Sequence, residues 1–108
     1  MIKKIMVLFI ALGSATMMVL ADGEVKHSAK PKDGFVPDAQ TAIAIAVAVW
    51  NPIYGKDNIE KEKPYSAKLT NGVWIVEGSL PKPMTVGGWA IAEISKEDGK
   101  ILRVSHGK

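Results

Sequence analysis

Cysteine is absent from the 108 residues. That excludes a disulfide framework, a thiolate nucleophile, cysteine-ligated zinc and the lipid-modified cysteine of a bacterial lipoprotein. Histidine is nearly absent too, with only His27 and His106. His27 has no second ligand at helical or hairpin spacing, so no metal site is expected. There is no GxSxG, no HExxH, no phosphate-binding glycine loop and no DxD-like carboxylate cluster. With neither nucleophile, tuned base nor metal in evidence, the chain is read as non-catalytic and without a cofactor. Basic tracts are also lacking. The formal charge of +3 includes Lys3 and Lys4, and nothing in the remainder suggests a nucleic-acid partner.

An apolar run, interrupted by Gly13, Ser14 and Thr16, lies at the N-terminus. Lys3 and Lys4 precede Ile5 to Leu12, and Val19-Leu20-Ala21 ends the run with a small-residue site. This pattern predicts a signal peptide over residues 1–21, cleaved after Ala21, and a periplasmic or exported product with no membrane attachment after cleavage. The alternative is an uncleaved anchor, since the run is at the short limit of roughly 17 to 25 residues for a spanning helix. Residues 22–33 (DGEVKHSAKPKD) are polar and read as a flexible segment, leaving residues 34–108 as a single domain.

Within that domain, Asp38 is a good helix N-cap, and five alanines between Ala39 and Asn51 favour a helix over a long strand. Pro52 disfavours helical geometry at Asn51, and Gly55 offers a left-handed stop. The helix is apolar on two stripes: Ala42, Ile45, Val49 and Ile53 on one, and Ile43, Val47, Trp50 and Tyr54 on the other. Such a helix must be covered on both sides. A sheet is expected to cover one stripe, through Trp74, Leu69 and Val104. The other is left for the Phe35 region, a second subunit or a partner. Lys56 to Lys63 (KDNIEKEK) reads as a charged connector in which only Ile59 packs.

The remaining chain is strand-like, and its turns predict the register. Asn71-Gly72 suits a two-residue type I′ hairpin, setting Tyr65, Ala67, Leu69, Trp74 and Val76 on the core face. Glu97-Asp98-Gly99 suits a three-residue loop, pairing Ile94 with Leu102 and Glu93 with Arg103, so that Ala90, Ala92, Ile94, Leu102 and Val104 face the core. His106 falls at the end of that face beside Ala90, as a structural histidine. The expected architecture is α+β: one long helix packed on a curved antiparallel sheet of about four strands.

The opposite sheet face is more apolar than a solvent-facing sheet requires. It carries Val73, Ile75, Trp89, Ile91 and Ile101, surrounded by Lys68, Glu77, Glu93 and Arg103. An apolar centre with a charged rim matches a protein interface. Candidate partner-binding residues are Ile75, Glu77, Trp89, Ile91, Glu93, Ile101 and Arg103, with Trp89 as anchor and the 81–88 loop beside it. The N-terminal Phe35-Val36 segment or a sheet-to-sheet homodimer are other ways to cover this face.

The helix end W-x-P-I-Y-G at Trp50 to Gly55, the strand N-G-V-W-x-V-x-G at Asn71 to Gly78 and the tail I-S-K-x-D-G-K-I-L from Ile94, closing on Ser105-His106-Gly107, together resemble a known family. It comprises small exported bacterial immunity proteins with a nuclear transport factor 2-like fold, and the resemblance runs from about Gly34 to Lys108. It implies a small cystatin-like or nuclear transport factor 2-like helix on a curved sheet, and a non-catalytic protein that binds and neutralises a cognate toxin of a polymorphic or contact-delivered system. A second resemblance, to periplasmic inhibitory or sensor domains of the PepSY kind, implies restraint of a hydrolase. A small-ligand carrier with a pocket lined by Trp50, Tyr54 and Trp74 is a third possibility.

Overall fold

A computed structural model describes residues 26–84 and 86–108. The signal-peptide expectation therefore lies outside the described residues. Among the described residues two helices precede four strands: α1 (Ala39–Tyr54), α2 (Lys56–Glu60), β1 (Ser66–Thr70), β2 (Val73–Glu77), β3 (Ala90–Ser95) and β4 (Ile101–His106). The strands form one open antiparallel meander in sequence order, and α1 packs across its first three strands. The helix-on-sheet α+β architecture is as the sequence predicts.

Asp38 caps α1 as expected. Its carboxylate accepts from the Thr41 amide at 2.8 Å and the Thr41 hydroxyl at 2.7 Å. These two bonds, the hydroxyl first, hold the carboxyl below its ordinary pKa. The helix does not stop at Asn51 but continues through Pro52 to Tyr54. Proline removes one backbone donor, whose i−4 acceptor would be the Ala48 carbonyl. Ala44, Ala48 and Pro52 are all exposed, so that carbonyl lies on the side of the helix where water can reach it. Gly55 then closes the turn, its N–H donating to Asn51 O at 2.9 Å, and the Asn58 side chain donates to the Tyr54 carbonyl at 2.8 Å.

Neither predicted stripe is the buried one. Ala42, Ala46 and Trp50, spaced four apart, form the buried line between them, and Ile43, Ile45, Val47 and Tyr54 flank it half-buried. Ile53 is exposed. Facing that line on the sheet are Ala90 and Ala92, both fully buried, with Val76 and Ile94. Small side chains on both surfaces let helix and sheet approach closely, and Trp50 fills the remaining volume. Its indole N–H donates to Ile91 O at 3.3 Å. The space between helix and sheet is thus a filled core, occupied by Trp50 and Trp74.

The first hairpin has the expected register, with Leu69 opposite Trp74 and Thr70 opposite Val73. Asn71 and Gly72 take the positive φ values, 49° and 76°, that a type I′ turn needs. The second hairpin differs. Glu93 pairs with Arg103 and Ala92 with Val104 as predicted, but Ile94 pairs with Ile101 rather than Leu102. The connection holds one residue more than expected, Lys96 to Gly99, because the Ser95 amide already bonds Lys100 O. A bulge at Leu102 absorbs the difference and restores the register beyond it. Leu102 is consequently exposed, and so is Leu69, which sits near the open end of an edge strand. Both were expected in the core.

The N-terminal segment packs on the helix side, not on the outer sheet face. Val36 is buried in the core, its carbonyl accepts the Trp74 indole N–H at 2.8 Å, and its amide donates to Lys96 O at 3.0 Å. Phe35 remains exposed. Of the covers foreseen for the second helix stripe, this segment supplies only Val36.

Because Ala46 is fully buried in the core between helix and sheet, Ala46→Leu should destabilise the protein by about 1–3 kcal/mol through overpacking. Ala48→Leu, on the exposed side of the same helix, should change stability by less than about 0.5 kcal/mol. Urea unfolding of the two variants checks this. Equal effects would mean that the buried line is misplaced.

Candidate functional site

Strand alternation sorts the candidate residues onto the face opposite α1. Two cross-strand rows result: Lys68, Ile75, Glu93 and Arg103 in one, and Ser66, Glu77, Ile91 and Ser105 in the other. Trp89, just before β3, joins the second row, its indole N–H donating to Glu77 Oε1 at 3.0 Å. Ile75, Glu77, Trp89, Ile91 and Glu93 are half-buried, while Arg103 is exposed. Arg103 Nε donates to Glu93 Oε2 at 2.9 Å, Nη2 lies 2.9 Å from the same oxygen as an ion pair, and Nη1 donates to Ser105 Oγ at 3.1 Å. The structure therefore brings six of the seven predicted residues together. Ile101 is the exception: the bulge sets it opposite the core-facing Ile94, off both outer rows, at 38% exposure.

Helix α1, Ile59 of α2 and Val36 all pack on the core side. The outer face is thus a sheet surface whose apolar centre is Trp89, Ile91 and Ile75. Beside it lies a hollow of about 290 Å³, bounded by Glu77, Trp89, Ile91, Gly88, Gly107 and Lys108. Gly88 is required there. A Cβ at that position would stand 2.0 Å from the Gly107 carbonyl carbon. The predicted bend at Gly87-Gly88 is therefore also a place where two backbones touch.

Across that contact is a second site the sequence reading missed. A cleft of about 630 Å³ opens between the end of α1, the connector, the 81–84 and 87–88 segments and the end of β4. At its base is Glu62, expected to be part of a solvated connector but only 3% exposed. Its Oε1 accepts the Ala90 amide at 2.8 Å and its Oε2 lies 2.7 Å from His106 Nε2. His106 sits opposite Ala90, as the register predicts, and its Nδ1 lies 2.7 Å from Gly107 O. Tyr54 packs on the imidazole with ring centroids 5.0 Å apart. A ring with an acceptor at each nitrogen is best satisfied when both nitrogens carry protons. Burial pulls the His106 pKa down, but the Glu62 hydrogen bond, the Gly107 carbonyl and the Glu62 charge outweigh it, and the pKa lies above its ordinary value. No local sequence signal marks Glu62, because its partners lie 28 and 44 residues away.

Both nitrogens of the imidazole are engaged within the fold, by Glu62 and by the Gly107 carbonyl. Among the described residues no group of His, Asp and Glu side chains could hold a metal ion. Nor is any helix there long and apolar enough to cross a membrane.

The stability contributed by His106 has a definite sign. Its folded pKa is raised, so the contribution is complete below the unfolded value of about 6.5 and is lost as pH rises through the folded value. Asp38, Glu60 and Asp98 are shifted down and act in a separate window, losing their contribution as pH falls into the acidic range. Urea midpoints should therefore drop between pH 6 and pH 8.5 in the wild type. In His106→Gln this slope should flatten and the protein should be weaker at pH 6 by about 1–3 kcal/mol. An unchanged slope would show that the pair does not form. Gly88→Ala, by the steric argument above, should be strongly destabilising at every pH.

A family model described as "NTF2 fold immunity protein" matches residues 41–108. Over 55 residues the chain is 46% identical to the uncharacterized protein YhhH and 38% identical to the uncharacterized protein YbbC, both of Escherichia coli (strain K12). Each alignment takes in 51% of this chain, but 43% of the first relative and 45% of the second. The chain thus spans less than half the length of these curated relatives. No solved structure matches it.

Proposed function

The chain belongs to the NTF2 fold immunity protein family, and on that premise we propose that it is a non-catalytic immunity protein that binds and neutralises a bacterial toxin in or through the periplasm. The observation that carries this reading is the outer sheet face. Trp89 stands half-exposed beside Ile91 and Ile75, with Glu77, Glu93 and Arg103 around them. Both helices and Val36 pack on the opposite side. An apolar centre holding a tryptophan and rimmed by charge is the composition of a binding hot spot. The family supports a toxin as the partner, and the charged-then-apolar N-terminus supports an exported site of action.

The mechanism is occlusion. Trp89 enters a pocket on the toxin and excludes water. The Glu93–Arg103 pair, held by one hydrogen bond and a second ion-pair contact to the same carboxylate oxygen, sets orientation, as rim charges do. The Glu77 bond to the indole N–H fixes the Trp89 ring before contact, which lowers the entropic cost of binding.

The test is capture and protection. The tagged protein, recovered from its host under conditions of toxin production, should carry a stoichiometric exported protein with a toxin-like domain, identified by mass spectrometry. Trp89→Ala combined with Arg103→Glu should weaken that complex by about 2 kcal/mol or more, roughly 30-fold in Kd, and abolish protection of a toxin-exposed strain. Undiminished affinity and protection in this variant, with an unaltered circular dichroism spectrum, would refute the face.

A further inference from the structure

The cleft on the far side of the Gly88–Gly107 contact has a chemistry of its own. Its walls are largely apolar, with Tyr54, Pro81 and Met84 among them, and Met84 is exposed. Its polar floor is already committed. Both oxygens of Glu62 are taken, by the Ala90 amide and by His106, and both nitrogens of His106 are taken, by Glu62 and by Gly107 O. Two carbonyls at the end of α1 are engaged as well: Asn51 O by Gly55 N–H and Tyr54 O by Asn58. What remains is the charge of Lys61 and Lys108 at the rim. Neither ammonium belongs to an ion pair among the described residues. The Glu62 charge, meanwhile, is sequestered against His106. Cationic groups beside apolar walls complement an anionic group presented to the cleft.

We propose that this cleft binds an acidic side chain carried on an apolar segment of the protein partner, as a second half of the interface anchored by Trp89. The inference rests on the immunity reading for its partner. It adds where and what that partner contributes: an Asp or Glu flanked by apolar side chains. Continuity supports it. Gly87, Gly88, Gly107 and Lys108 border both the Trp89 hollow and the cleft, so one segment can cross from the first to the second over the side-chain-free Gly88–Gly107 contact. The volume, about 630 Å³, accommodates two or three side chains rather than a folded element, within the ~300–1,000 Å³ typical of ligand sites.

The experiment is a titration followed by amide NMR of the purified protein. The probe is the blocked tetrapeptide Phe-Glu-Leu-Asp; its neutral isostere Phe-Gln-Leu-Asn and inorganic phosphate serve as comparisons. The acidic peptide should shift the amides of Asn58, Lys61, Gly87 and Gly88 saturably, and the neutral peptide should bind at least tenfold more weakly. Lys61→Glu with Lys108→Glu, both on exposed side chains, should remove that preference while the spectrum elsewhere stays that of the wild type. Equal binding of the two peptides would overturn the proposal, as would the same shifts from phosphate alone at equal affinity, which would mark a small-anion site. Shifts confined to other residues, or none at millimolar peptide, would also overturn it. The charge-reversed variant also separates the two readings in the protection assay. Full protection by it would sink the cleft and leave immunity standing, whereas failure of the wild type to protect would sink immunity whatever the peptides do.

Discussion

The carboxylate of Glu62 ties three distant segments together at one end of the sheet. It is almost fully buried, and a buried charge is tolerated only when paired and hydrogen-bonded. The pairing requirement therefore propagates outward. Its first oxygen needs the Ala90 amide, which places the start of β3 against the connector. Its second needs His106, which brings in the end of β4. The same residue's backbone carbonyl accepts from Ser79 at 2.7 Å, so the chain leaving β2 is held as well. The cleft, the Gly88–Gly107 contact and the position of Trp89 at the mouth of β3 all follow from where this one group must find partners.

Three tryptophans divide the remaining work by depth. Trp50 fills the space that four small alanines leave between helix and sheet. Trp74 closes the opposite end of the core and binds the N-terminal segment through Val36 O. Trp89 is turned to the other face by the alternation of β3, where its ring is fixed by Glu77 rather than by packing. The first two make the scaffold rigid enough that the third can be presented in one orientation. A sheet surface supported from behind by a closely packed helix suits partner binding, because little ordering remains to be done on contact.

Much of this architecture was legible before any coordinates. The Asp38 cap, the Asn71-Gly72 turn and the alternation of β2 and β3 depend on near neighbours, and each is where the sequence places it. The Glu93–Arg103 and Ala90–His106 pairings are where the sequence places them, although the loop is one residue longer than expected, because the bulge at Leu102 restores the register. The misses share a cause. Pro52 inside α1 is tolerated because the carbonyl it orphans lies on the exposed side, and exposure is a property of the assembled fold. The extra residue between β3 and β4 is absorbed at Leu102, and a bulge leaves no mark in a period-two pattern until both strands are aligned. Ile101 was assigned to the outer face for that reason. Glu62 looked like one more charge in a charged connector.

By itself, the sequence determined the long helix with its cap, the first hairpin turn, the alternation of the two central strands and the family to which the chain belongs. These rest on backbone dihedral preference and on spacings of a few residues. Only the tertiary structure decided which charges are solvated and which is buried, that Val36 joins the core side, and that a cleft lies beside Trp89. Those outcomes depend on contacts between residues tens of positions apart, where the pairing of groups is set by packing and desolvation rather than by local preference.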